Sequence, residues 1–244
     1  MTFTKIKACW LLSTCLLLLT KSFSNALSAQ GRLDTTGVAS QSPQKVIPSV
    51  KVFDMGEDKL VDVFVSPKER VRPSSLALAR MIAHCPSLIE GKNVLELNCG
   101  IGLISATACK HARPNHVAVS DKDPDVLALA YTSCTRLQKS RASVSRCKMD
   151  WKDKSTWPNQ LYHVLLAADV LKQPTSVLPL TAVLKSYLAS GDEDFRKRAL
   201  IVDPVEQRNR DAFCYAANNA GLDVEVCPFP GMDDFILLDV FSRD

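Results

Sequence analysis

An excess of one charge is what this sequence most plainly lacks. Its 30 Lys and Arg stand against 26 Asp and Glu, a formal charge of +4 over 244 residues, and no basic run forms a patch. That balance gives no argument for a nucleic acid or a membrane surface as partner. Histidine is scarce as well: His84, His111, His116 and His163 form no cluster. The nine cysteines include no Cys-x-x-Cys pair, so metal-ligand spacing is missing and no metal site is assigned. No Gly-x-Gly-x-x-Gly occurs, the pattern a nicotinamide dinucleotide usually asks for. None of the four tyrosines has a lysine four residues on, so the short-chain reductase pair is absent too. The longest apolar stretch, Ala8 to Leu19, falls short of the ~20 residues of a transmembrane helix.

That stretch belongs to a separate N-terminal object. Lys5 and Lys7 precede it, and Ser24 and Ala26 frame a cleavage point. Positive start, short apolar run and small-x-small site read as a secretory signal peptide over 1–26. Residues 27–49 are rich in Ser, Gln and Thr and cannot build a core; they read as a disordered linker or a transit-like segment. Beyond them lie Cys85, Cys99, Cys109, Cys134, Cys147, Cys214 and Cys227, an odd number set in apolar runs. A disulfide framework would use an even number, and a chain of this length needs none. The thiols read as buried apolar fillers. The expectation is therefore the secretory route by an N-terminal signal, with onward passage to a plastid or another reducing organelle.

The body, 50–244, alternates. Lys51 to Met55 and Leu60 to Val65 flank Gly56-Glu57-Asp58 as a hairpin. Ser74 opens a helix with Leu76, Leu78, Ala79 and Ile82 on one face. Then come a strand ending at Leu97, a helix over 103–111 and a strand over 116–120. Pro124 begins a helix running to Leu137, before strands over 142–149 and 161–168. A helix over 175–188 ends near Gly191. A strand over 198–202 and a helix over 206–220 follow, and Leu222 to Cys227 and Phe235 to Phe241 close the chain as strands. Alternating β and α units predict a parallel sheet covered on both faces. The two last strands, with no helix between them, predict an antiparallel edge. The class is α/β, doubly wound and Rossmann-like, with seven strands and an N-terminal β-hairpin.

Chemistry is concentrated in Val94-Leu-Glu-Leu-Asn-Cys-Gly-Ile-Gly102. An apolar run that meets an acid and a glycine-rich loop is a strand feeding a tight turn. Gly100 and Gly102 let the backbone approach a ligand with no Cβ in the way. The next apolar run ends at Asp121, near the ~20-residue spacing at which nucleotide folds place a carboxylate for ribose hydroxyls. Asp121 could instead cap the following helix. Glu96 offers a negative charge suited to a sulfonium and an ammonium, where a pyrophosphate would be repelled.

This chain resembles the seven-strand S-adenosylmethionine-dependent methyltransferases, and within them methyltransferase family 16, the protein lysine methyltransferases. The matching stretches are Arg72-Pro-Ser-Ser-Leu76, Leu95 to Leu103, Asp150-Trp151, Leu166-Ala-Ala-Asp-Val170, and Asp203-Pro204 with Arg208 and Phe213. The resemblance implies strand order 3-2-1-4-5-7-6 with the last strand antiparallel. It implies S-adenosyl-L-methionine as cofactor, held by Glu96, Asn98, Gly100, Gly102, Asp121, Asp150, Trp151 and Ala168. Asp150 would meet the adenine amino group and Trp151 the ring; the same pair could merely begin a loop. Asn98 stands where the family has glycine, at a position where αL is better tolerated by Asn than by most residues. Asp169 and Lys172 fall on the family's Asp-x-x-Tyr/Phe stretch, where the acid orients the incoming amine; here the aromatic is a lysine. Arg72 replaces the family's tryptophan. The implied protein is a monomer that methylates a lysine side chain of a protein partner, with no nucleic acid and no membrane span in the mature chain. The alternative is a non-catalytic cofactor-binding or scaffold protein on the same fold.

Overall fold

The computed structural model describes residues 48–138, 140–189 and 196–243. The signal peptide expected over 1–26 lies outside the described residues, as do nearly all of 27–49 and the expected cap at Gly191. One boundary moves: Ser49, placed in the linker above, already pairs with Val65. It begins β1 (Ser49–Asp54), which runs antiparallel to β2 (Leu60–Val65). Their turn carries positive φ at Gly56, Glu57 and Asp58, and the Asp54 side chain accepts from Gly56 N–H at 2.7 Å. Alternation along β2 turns Val61, Val63 and Val65 inward.

Helix α1 (Pro73–His84) leads into β3 (Asn93–Leu97). Next come α2 (Leu103–Thr107), β4 (His116–Asp121), α3 (Pro124–Thr132), β5 (Ser143–Lys148) and β6 (Val164–Ala168). The chain ends with α4 (Val177–Leu188), β7 (Arg198–Pro204), α5 (Arg210–Asn219), β8 (Leu222–Pro228) and β9 (Phe235–Ser242). The helices expected to run to 111 and 137 loosen into π turns over Ala108–Ala112 and Ser133–Leu137. The last helix starts at Arg210 rather than Glu206. Gln207 N–H closes a turn on the Pro204 carbonyl at 3.1 Å, and the Asn209 amide donates to the Leu171 carbonyl at 2.7 Å, pinning the chain before the helix.

The sheet order is β5-β4-β3-β6-β7-β9-β8. Counted from β3, that is 3-2-1-4-5-7-6, and β9 runs antiparallel to both its neighbours. Successive residues of each central strand feed opposite faces. Val94, Leu166 and Val202 meet α1 and α2 in one core, while Leu95, Leu165 and Ile201 meet α4 and α5 in the other. Both faces being covered accounts for the near-continuous apolar strands. Polar side chains at the carboxyl ends of those strands are thereby left to one edge of the sheet.

Candidate active site

At that edge the loop after β3 takes left-handed backbone three times, at Asn98 (φ 55°), Gly100 (φ 52°) and Gly102 (φ 72°). The two glycines are needed for different reasons. A Cβ on Gly102 would lie 2.6 Å from the Ala130 Cβ of α3, so that position serves helix packing, whereas nothing lies within 4 Å of where a Gly100 Cβ would be. Gly100 therefore faces open space.

Glu96 corrects the expectation drawn from its type. It is 1% exposed and lines neither of the two cavities at the loop. Its carboxyl instead accepts from the Ser105 N–H at 3.0 Å and from the Ser105 hydroxyl, tying β3 to α2. Burial raises its pKa to about 8, against the Ser105 hydrogen bonds that favour the charged form and with help from the nearby Asp121 charge. Near neutral pH it holds a proton. It is a strut behind the loop and not a counter-charge facing a ligand.

Asp121 ends β4 where the spacing placed it. One carboxylate oxygen accepts from Gly100 N–H at 3.1 Å and the other from Asp123 N–H at 3.0 Å. The cap of α3 is Asp123, which accepts from Asp125 and Val126, so the capping alternative for Asp121 is taken by its neighbour. Two of the roughly four acceptor positions of the Asp121 carboxylate remain. Asp121 and Asn98 line both a cavity of about 470 Å³ and a smaller one of about 170 Å³. Gly100 and Ala168 lie on the smaller, and Asp150 and Trp151 on the larger, with the buried Met149 beside them. Asp150 also starts a turn, accepting from Lys152 N–H at 2.9 Å. Gly102 and Glu96 are the predicted residues that the fold keeps off these walls.

Past β6, Asp169 sits at φ 56° with its N–H on the Val202 carbonyl at 3.0 Å. The larger cavity takes in Asp169 and Lys172 together. The cation paired with Asp169 is nevertheless Arg72, from the residue just before α1. An Asp169–Lys172 ion pair is not formed. Sequence reasoning noticed Arg72 only as a replaced aromatic; its charge, opposite to that of Asp169, was the available signal. Asp203 was missed as a chemical group. It is fully buried near the end of β7, where its carboxyl forms no well-aligned hydrogen bond although the Leu171 and Val170 backbone N–H groups lie close by. Burial, then the charge of Asp169, raises its pKa to about 7, although the Leu171 and Val170 amides and Arg210 favour the charged form. An acid ending the apolar run Ala199 to Val202 was the signal there.

These walls suit a nucleoside with an amino-acid arm: open backbone at Gly100, spare acceptors at Asp121, a half-buried indole beside Asp150. A seven-strand sheet of this order, with that loop after the first parallel strand and a carboxylate ending the second, defines the methyltransferase class of α/β folds. Residues 73–209 match the family model described as lysine methyltransferase, methyltransferase family 16, and the chain belongs to that family. The structure is similar to a T. thermophilus 16S rRNA N2 G1207 methyltransferase solved with AdoMet and guanosine. The TM-score is 0.62 at 11% identity, over 83% of this chain and 52% of that one, so this chain spans about half the length of that relative. It is also similar to a methyltransferase from Pyrococcus furiosus, with TM-score 0.58, 15% identity, and coverage of 75% and 89%. A third is P. horikoshii TYW2 in complex with MeSAdo, with TM-score 0.54, 16% identity, and coverage of 80% and 72%. At such identities the likeness is one of fold. Comparison with curated protein sequences finds no match.

Proposed function

We propose that the protein is an S-adenosylmethionine-dependent methyltransferase whose acceptor is a lysine side chain of a protein. The observation that carries the reading is that Asp169 and Lys172 share one cavity wall with Asp121, Asp150 and Trp151. Asp121 would hold the ribose, Asp150 and Trp151 the adenine, and the open backbone at Gly100 the amino-acid arm. When bound, S-adenosylmethionine supplies an electrophilic methyl on a sulfonium.

The residues of this chain must deal with the acceptor. An alkyl amine with an ordinary pKa of about 10.4 costs about 4.6 kcal/mol to deprotonate at neutral pH, at about 1.36 kcal/mol per unit. Asp169 orients the amine, and its side chain is mostly buried, so the contact is made away from bulk water. Arg72 and Lys172 place positive charge at the same spot, which favours the neutral amine. The neutral nitrogen would then offer its lone pair to the methyl that bound S-adenosylmethionine supplies, the methyl–sulfur bond breaking with its electrons left on sulfur. The surplus proton of the alkylated amine would leave to solvent.

The non-catalytic reading has one observation in its favour: Asp169 is already occupied by Arg72. Incubation with labelled S-adenosylmethionine and a lysate of the source cells, then hydrolysis to amino acids, separates the two. Methyl-lysine formed by wild type and lost in Asp169→Asn supports the enzyme. Background incorporation by both would leave the scaffold.

A further inference from the structure

On the far side of the Arg72–Asp169 ion pair lies a third cavity, of about 660 Å³, lined by Pro73, Pro204, Phe235 and the acids Glu206, Asp233 and Asp234. Arg72, Asp169 and Lys172 line this chamber and the 470 Å³ cavity alike. The two chambers thus share one wall, and its centre is an ion pair between a half-exposed guanidinium and a mostly buried carboxylate. None of the three acids of the outer chamber is in an ion pair among the described residues. The outer chamber therefore presents apolar surface and an excess of negative charge, three acids against Lys172 as the one lining cation outside the ion pair. The inner end of that path is a carboxylate that already holds a cation.

From this we infer that Arg72 is a built-in occupant of the acceptor position: its guanidinium latches Asp169 and divides the cleft until an incoming alkylammonium displaces it. The inference rests on the methyltransferase reading for its purpose, although the latch itself is a property of this chain alone. Exchange is feasible because a pair with one partner half in water is weak. Leaving Asp169 unpaired in its sheltered place would be costly, so the pair opens only for another cation. An anionic acceptor would be attracted to Arg72 but repelled by Glu206, Asp233 and Asp234 on the way. A neutral one could not compete for Asp169. The latch makes Arg72 a specificity residue: it sets a threshold that a cationic, apolar-stemmed acceptor overcomes and others do not.

The test uses the full chain and two small probes with the same stem, butylammonium and neutral butanol, titrated by ligand-observed NMR. Arg72→Gln keeps a polar side chain at an exposed position but releases Asp169. It should tighten butylammonium about tenfold or more, a factor worth ~1.4 kcal/mol, and leave butanol nearly unchanged. Arg72→Gln combined with Asp169→Asn should lose the gain; Asn is chosen because it tolerates the left-handed backbone at that position. An equal gain for both probes would mean that Arg72 only fills space, and no gain for butylammonium would mean that it does not compete; either overturns the latch. Calorimetry with S-adenosylmethionine on the same wild-type sample reports separately on the function. Absence of cofactor binding would remove the methyltransferase reading without altering what the probe titrations say of Arg72.

Discussion

Asp121 supports the loop with one acceptor site on each oxygen and keeps further sites for a ligand. Charge-assisted hydrogen bonds of this kind contribute roughly 1.5–3 kcal/mol each. Asp121→Ala should therefore weaken S-adenosylmethionine binding at least ~tenfold in titration calorimetry, and unchanged affinity would take Asp121 out of the site. Lys172 stands on the cavity wall next to an already paired Asp169. Lys172→Tyr should keep or raise methylation of the native substrate, because a ring can hold an amine stem and contributes a cation–π face, while Arg72 still places a positive charge on the same wall. Loss of turnover in that variant would mean that the lysine itself is required. That Asp121, Asp150, Trp151, Asp169 and Lys172 gather at one edge of the sheet could be read from the sequence, because Asp121 ends β4 and the others lie in the loops after β5 and β6, where the chain must leave the core. Glu96 could not. Its place one residue earlier turns it beneath the loop, and only the position of Ser105 shows what its carboxyl does.

The turn between β3 and α2 shows how an element can be legible while its reasons are not. A glycine-rich loop was expected to clear room for a ligand, and that holds for Gly100 alone. Gly102→Ala brings a Cβ to 2.6 Å from Ala130 at a left-handed φ, and the clash is with a helix rather than a flexible side-chain end. It should destabilise the protein by roughly 2 kcal/mol or more, seen as a lower midpoint in urea. Gly100→Ala meets no atom, so only the left-handed backbone costs, about 1 kcal/mol; its larger effect should be on cofactor affinity. Equal midpoints for the two variants would undo this division. Helix ends were less legible than strands. The π turns after α2 and α3 come with packing against β2, where Ser133 accepts from Phe64 N–H at 2.8 Å, and no local pattern announces that contact.

Two buried carboxyls make the stability of the whole molecule depend on pH. The pKa of Glu96 rises from 4.5 to about 8 and that of Asp203 from 3.8 to about 7. Both keep their protons in the folded chain where the unfolded chain has lost them, so the folded state binds more protons and its stability falls as pH rises. The contribution is fully present below the unfolded values and is lost by about 7 for Asp203 and about 8 for Glu96. Melting temperature should therefore decline across that window, and Glu96→Gln should flatten the upper part of the decline; an identical slope in the variant would place the titration elsewhere. The doubly wound sheet itself was written along the chain, because strands buried on both faces must be apolar throughout and crossover connections have one hand. Family membership could be read the same way, since it resides in short ordered motifs. The partner of Asp169, the burial of the Asp203 carboxyl beside Asp169 and the retreat of Glu96 from the cleft could not. They depend on which side chains from distant segments arrive at one point: Arg72 and Asp169 are 97 residues apart, and folding brings a pre-helix residue of α1 against the end of β6. Long-range electrostatic pairing leaves no periodic trace in a sequence, whereas burial does.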